Sequence, residues 1–447
     1  MAVGKIIYLG GLVAMSAIIN SCKPDITVPT PSSGTADLSK CIAVGDDFMA
    51  GYGDGALYNK GQQLSIPALI VRQFPSSTGF IQPFMQDDDG IGINLNPYSP
   101  NYVTRSKLGY RTDCLGASGL FPISGELTPA SAQGYLMSVS YSVNNFSVPF
   151  MTVKDYFNAS TGSNNGNVFY HRFASAPGAS TVYSDAVASN ATFFTAWVGM
   201  ADIFEYAIHG GVKKGITPSV KDTLPSSTEF SLYLDSLLHG LTSKGAKGVI
   251  ATIPSLESFP FFTLIPYNGL SLTQGQADSL NMFTPFSFRA GNNGFVIDCA
   301  TCSFPYRLMG NGEHILLNVP LDSIKCDFMG AFNSIPDAYI LDSIEMTSIH
   351  QAIADYNSII VQKAIQYNLA LLDMNQYFNT VVSGIKWNGA DINADFISGG
   401  FFSLDGYHPN QIGYSLIANE FIRAINQKYG ASIPPVNCRE CDGIRFP

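Results

Sequence analysis

Three ionisable side chains stand out by type and spacing. Asp405 and His408 lie three apart in Ser403-Leu404-Asp405-Gly406-Tyr407-His408-Pro409-Asn410, just ahead of a helical pattern. That spacing lets a carboxylate reach one imidazole nitrogen while the other faces a site, the arrangement of a base and the acid that orients it. The bland alternative is a helix N-terminus with a capped histidine. Far upstream, Cys41-Ile42-Ala43-Val44-Gly45-Asp46-Asp47-Phe48 is an apolar run of strand length that stops at a glycine and two acids. Open α/β sheets keep their sites at the C-terminal edge of such strands, so Asp47 is expected there, exposed. A carboxylate so placed could attack carbon by displacement, with His408 then directing water at the resulting ester. Towards a carbonyl ester it is a poor nucleophile, and its charge sits where an oxyanion must form. The remaining histidines, His171, His209, His239, His314 and His350, show no metal-ligand spacing.

Buried strands and amphipathic helices must hold these residues. Thr192–Val198 and Gly248–Pro254 read as strands buried on both faces, Leu369–Asp373 as the last parallel strand, and Tyr135–Val143 alternates in strand fashion before Asn144–Met151. Helical patterns run from Ser65 and Pro67 to Phe74, over Leu232–Leu241, over Ser343–Tyr367 and from Gln411 to Tyr429, where Gly430 gives a C-cap. In the long helix Ile349, Ile353, Tyr356, Ile360, Ala364 and Tyr367 make one apolar stripe. Helices alternating with five buried strands predict a three-layer α/β/α sandwich around a mostly parallel sheet. Residues 75–134 and 255–340 are loop-rich insertions. Gly51–Tyr58 is a glycine-rich connection along the site edge, without the Gly-Lys-Ser/Thr of a phosphate loop. Asp87-Asp88-Asp89-Gly90 is read as a solvated turn in preference to a calcium loop.

These blocks, in this order, resemble the SGNH/GDSL hydrolase family of lipases and acylhydrolases, in its bacterial lipoprotein branch. The family's first block reads Gly-Asp-Ser-Leu and its last Asp-x-x-His. The resemblance implies a flavodoxin-like sandwich, over about 40–430, in which serine and its own amide, a glycine amide, an asparagine side chain and the Asp-His pair come together. The last block is intact at Asp405 and His408. The other three depart from the pattern: Asp47 stands in place of the serine. Trp197-Val198-Gly199-Met200-Ala201-Asp202 puts Ala201 in place of the oxyanion asparagine of Gly-x-Asn-Asp. Val148-Pro149-Phe150-Met151 puts Phe150 in place of the oxyanion glycine, where its ring would plug the pocket. The expectation is a degenerate, non-catalytic site in which Asp47 pairs with an imidazolium at His408. Two rival readings are an ester or lipid hydrolase with a relocated serine, such as Ser147 or Ser142, and an Asp47 displacement hydrolase.

Composition narrows the class. Apolar residues make up 46% of the 447, enough for a large core, while charged residues are only 13%. A formal charge of -10, without any basic cluster, excludes nucleic acid as the expected partner. Residues 1–21 carry Lys5 and then an uncharged apolar run too short to span a bilayer, the form of a signal peptide. Ile19-Asn20-Ser21-Cys22 resembles a lipobox, so Cys22 is the expected lipidation site. Residues 22–39 read as a flexible tether, and Lys23 after the cysteine favours outer-membrane delivery, facing the periplasm or the cell surface. The expected partners are thus the membrane through Cys22, an outer-membrane β-barrel or other envelope protein, and a hydrophobic or acyl ligand. No cofactor or metal is expected. Of eight cysteines, Cys299, Cys302, Cys438 and Cys441 form two Cys-x-x-Cys pairs; disulfides within or between them are preferred to a zinc site on compartment grounds. Residues 431–447 form a tail pinned by Cys438 and Cys441.

Overall fold

The computed structural model of the protein describes residues 30–447 except 76, 78, 212–222, 300 and 301. The signal segment, Cys22 and the first part of the tether lie outside the described residues. The centre is a four-stranded parallel sheet of β1 (Cys41–Gly45), β2 (Phe193–Trp197), β3 (Lys247–Ala251) and β4 (Ala370–Leu372), in that spatial order. Every residue of β1 and β2 is buried, as expected of strands covered on both faces.

A fifth extended segment follows the free edge of β1. The Ala43 N–H donates to Asn144 O, Phe146 N–H to Ala43 O and Val148 N–H to Gly45 O, each at 2.9 Å. The expected strand at Tyr135–Val143 is not formed; those residues are irregular after a short 3-10 turn, and the pairing falls on the next ones. Burial explains the shift. The place beside β1 is enclosed, and most of 135–142 is exposed whereas 145–149 is buried. Asn145 is tolerated there because its amide donates to Met49 O (3.1 Å) and Gln82 Oε1 (2.9 Å), so burial strands no donor.

The helices are α1 (Asp47–Ala50), α2 (Ile66–Arg72), α3 (Val182–Ala188), α4 (Met200–Ala207), α5 (Ser227–Thr242), α6 (Ser343–Gln366), α7 (Met374–Ser383) and α8 (Gln411–Tyr429). α2 and α8 pack together over one face of the sheet, and α5 and α6 over the other, which is the expected three-layer sandwich. The α6 stripe Ile349, Ile353, Tyr356, Ile360 and Ala364 is buried, and Asp342 with Glu345 closes its first turn as a capping box. Gly430 caps α8 in the left-handed conformation (φ 61°).

Gly45 ends β1 because nothing larger fits. A Cβ there would lie 2.6 Å from Trp197 O and from the Met49 side chain. The chain therefore turns straight from strand into α1, which fixes where Asp46 and Asp47 stand.

The two insertions are more ordered than expected. Residues 107–112 and 118–123 pair as an antiparallel hairpin, and the 255–340 region builds two small apolar clusters of its own around Ile297 and Leu280. Cys114 joins Cys326 across 212 residues and so ties one insertion to the other, while Cys299 joins Cys302. The pairing expected at Cys438 and Cys441 is absent: both are buried free thiols, as is Cys41. With Cys299 and Cys302 bonded to each other, the four-thiolate zinc alternative loses two ligands.

The tail is pinned by amides instead. Asn419 and Asn426 on α8 bond the backbone of Val436 and Ile433. The end of the expected tether is also part of the body, since Thr35 N–H donates to Tyr429 O (2.8 Å) and Ala36 and Leu38 are buried in the core.

Candidate functional site

The C-terminal end of β1 and the turn before α8 bring the sequence-predicted residues together. Residues 403–408 close on themselves: Ser403 N–H donates to His408 O and Gly406 N–H to Ser403 O. Inside this turn Asp405 Oδ1 accepts the N–H groups of Tyr407 (2.9 Å) and His408 (2.8 Å) and the Ser403 hydroxyl (2.9 Å). An aspartate that bonds its own following amides holds such a turn rigidly. Asp405 Oδ2 then accepts from His408 Nδ1 at 2.9 Å and from Gly55 N–H at 2.8 Å.

The other imidazole nitrogen meets an acid. His408 Nε2 lies 2.7 Å from Asp47 Oδ2, and both side chains are buried, at 3% and 2% exposure. The position of Asp47 at the strand edge is as expected, but its expected exposure is not found, because aromatic rings enclose the pair. Phe48, Tyr52 and Tyr407 surround the imidazole at ring-centre distances of 5.1, 4.8 and 4.3 Å, and Phe150 stands edge-on against Tyr52 at 5.3 Å.

Electrostatics follow from this packing. Burial alone would lower the His408 pKa, but Asp405 and then Asp47 outweigh it and hold the value up at about 9. His408 is therefore an imidazolium between two acids at neutral pH. Burial pushes Asp405 up, but His408 and the Tyr407 and Gly55 amides more than reverse this and leave its carboxyl lowered. Asp46 is the opposite case. Burial and the neighbouring Asp47 charge raise it well above the usual carboxylate range, although Ala201 and Phe48 N–H groups donate to it.

The two residues expected at the oxyanion positions are Ala201 and Phe150. Ala201 sits in the first turn of α4, buried, its N–H spent on Asp46 Oδ2 at 3.1 Å. Its methyl group can donate nothing. Phe150 has a positive φ of 59°, the left-handed conformation that costs an L-residue about 1–2 kcal/mol and glycine nothing. The backbone at 150 thus has the shape glycine prefers while carrying a phenyl ring.

Ser147 is buried with its hydroxyl unbonded, and the partners of both imidazole nitrogens are Asp405 and Asp47, so neither Ser142 nor Ser147 occupies the relocated-serine role.

Several residues that frame the site carry no strong signal in the sequence. Asp54 accepts Leu404 N–H (3.0 Å) and Arg105 Nε (3.2 Å). Burial raises its carboxyl to about 6, against the pull of Leu404 and Arg105. Asp54 also has positive φ (53°), and its place in Gly53-Asp54-Gly55 is the available signal: an acid among glycines in a site-edge loop. Among the described residues no cluster of three or more His, Cys, Asp or Glu is placed to hold a metal, and no helix is long and apolar enough to cross a membrane.

The fold is an α/β/α sandwich whose central site sets His408 between two acids, Asp405 and Asp47. No family model and no curated protein matches the chain. The solved structures it is similar to are esterases and lipases. An α/β hydrolase, LAE5, from the metagenome of Lake Arreo shares 11% identity at a TM-score of 0.36, over 88% of this chain and 96% of that one. The acetylxylan esterase Axe2 of Geobacillus stearothermophilus shares 12% at 0.35, over 88% and 96%. An extracellular lipase of Streptomyces rimosus shares 11% at 0.35, over 87% and 99%.

Proposed function

We propose that the chain is a non-catalytic protein of SGNH/GDSL type, lipid-anchored through Cys22 at the outer membrane, that binds a ligand or serves as a subunit of an envelope assembly. One observation carries the reading: the nitrogen that should take a proton from a hydroxyl is bonded to Asp47 inside a closed aromatic box. Loss of a triad nucleophile costs about six orders of magnitude, and loss of one oxyanion donor about two to three more where the two act independently. Here the base is charged as well, so it has no lone pair to offer. The same burial opposes the Asp47 displacement reading, because one carboxylate oxygen is spent on His408 and no open path leads to the other. The lipid anchor rests on the Ser21-Cys22 junction alone.

The test is turnover of short-chain aryl esters by the parent protein beside His408→Ala. Equal, background-level rates are expected, with no adduct on Asp47 after exposure to an alkyl halide or epoxide. Saturable hydrolysis lost in His408→Ala would establish an active enzyme. Failure of Cys22→Ser to release the protein from the membrane fraction would remove the anchor.

A further inference from the structure

Exposed apolar side chains gather where the two insertions are stapled together. Leu115, at the tip of the hairpin, follows Cys114, and Phe328 comes shortly after Cys326, so the Cys114–Cys326 disulfide brings both to one place. The Phe328 ring lies 5.7 Å from that of Phe332, and Phe332 lies 6.4 Å from Phe283, which follows Met282 at the end of the helix Gln274–Phe283. Leu115, Met282 and Phe283 are 71–77% exposed, Phe328 61% and Phe332 44%. Together they expose the equivalent of about three whole side chains, or about 500–800 Å2 at about 150–250 Å2 each. The largest apolar patch of a typical monomer is about 300–600 Å2, and each partner in a stable interface buries about 800 Å2. We propose that the protein pairs with a second copy of itself through this face, about a two-fold axis; the pairing does not depend on whether the central site is catalytic.

The face is built and held rigid. Phe328 has a positive φ of 57°, a conformation unfavourable for any residue with a Cβ, yet its ring stands out in solvent beside the small apolar cluster that Ala331 joins. Strain retained under an exposed ring marks a ring with a use. Met329 N–H donates to Ser323 O (3.1 Å), and Ala331 and Asn333 N–H donate to Phe328 O (3.0 and 3.2 Å). At the hairpin tip Asp113 Oδ1 accepts Leu115 and Ala117 N–H (3.0 and 2.9 Å), and Asp113 O accepts Gly116 N–H (3.0 Å). Amides bonded within their own turns can be covered without losing water partners, and side chains fixed in advance lose less freedom on docking.

Charge selects the occupant. A surface that meets its own copy meets its own charges, so it must be close to neutral. Beside the disulfide, Arg111 pairs with Asp322, and Lys325 with Asp113 at 2.8 Å. The face is thus nearly neutral, with Asp327 at its edge, although the whole chain carries a formal charge of -10. These closed ion pairs offer little to a partner of opposite charge, whereas the same aromatic face is present on every copy. A bilayer would have to take Asp327 into its apolar layer along with Phe328, while a protein interface leaves such a charge in its wet rim.

The experiment is sedimentation velocity of the full chain carrying Cys22→Ser, which keeps lipid micelles out of the measurement, at about 1–100 μM. A dimer that dissociates on dilution is expected. Phe283→Ser combined with Phe332→Ser should weaken it at least about tenfold. Phe328→Gly suits the left-handed turn and removes only the ring, so it should keep the parent's circular dichroism spectrum while dimerising at least about fivefold more weakly. A parent that is monomeric across that range, or folded variants that dimerise as tightly as the parent, would overturn the proposal. So would a monomeric parent that sediments with phosphatidylcholine vesicles when the variants do not, since the face would then be a lipid contact.

Discussion

Replacing Asp47 by asparagine removes one charge from the buried centre and almost no volume, so its effect on His408 can be worked from the geometry. In the parent, His408 titrates at about 9 against an ordinary 6.5, and that difference corresponds to about 3 kcal/mol of stabilisation of the charged form. Because the folded pKa lies above the unfolded one, the stabilisation is full below about pH 6.5 and is lost as pH rises through about 9. The substituted amide can still accept from Nε2 through its carbonyl oxygen, but it no longer attracts the imidazolium, while burial keeps lowering the pKa and Asp405 alone opposes it. A fall of about one to two units is expected, or about 1.4–2.7 kcal/mol of differential stabilisation. Overall stability should fall by less than that, since Asp46 is relieved of a like charge that raises its own pKa. The direct assay is an NMR titration of the imidazole nitrogens in both proteins. A parent His408 that titrates below about 6.5, or a value that does not move in Asp47→Asn, would refute the charge-pair account.

Two further outcomes follow from particular residues. At position 150 glycine should be better than alanine: the positive φ costs alanine about 1–2 kcal/mol, and the extra chain entropy of glycine returns about 0.5–1 of it. Phe150→Gly should therefore unfold in urea with about 0.5–1 kcal/mol more stability than Phe150→Ala, and an alanine variant as stable or more stable would contradict the left-handed backbone. Cys114→Ser with Cys326→Ser opens a closure spanning 212 residues, worth about 5 kcal/mol by loop entropy. A large fall in urea midpoint is expected, and an unchanged midpoint would show that the insertions are held together by packing alone.

What can be read in the sequence is local. The Asp405 to His408 spacing, the glycine stop after Val44 and the α6 stripe each lie within a few residues of one another, and periodicity or turn chemistry determines them directly. Alternation misleads at Tyr135–Val143 because pairing beside β1 is decided by burial, which the chain meets only once folded. Cys114 and Cys326 lie too far apart for any spacing rule, so spacing points to the Cys-x-x-Cys pairs instead. The strand stop locates Asp47 but not its exposure, since Phe48 and Tyr52 close over it only together with Tyr407, which comes from the far end of the chain. A phenyl ring at 150 is legible as a plug, whereas its glycine-like backbone can be seen only in the dihedral angle.

The central claim is that hydrolysis is absent because the nucleophile and two oxyanion donors are absent while the base remains. The most direct test assays Asp47→Ser combined with Ala201→Asn and Phe150→Gly beside the parent on short-chain aryl esters. The account predicts saturable turnover in the triple variant, abolished by adding His408→Ala, and only background in the parent. Turnover by the parent that depends on His408 would contradict it.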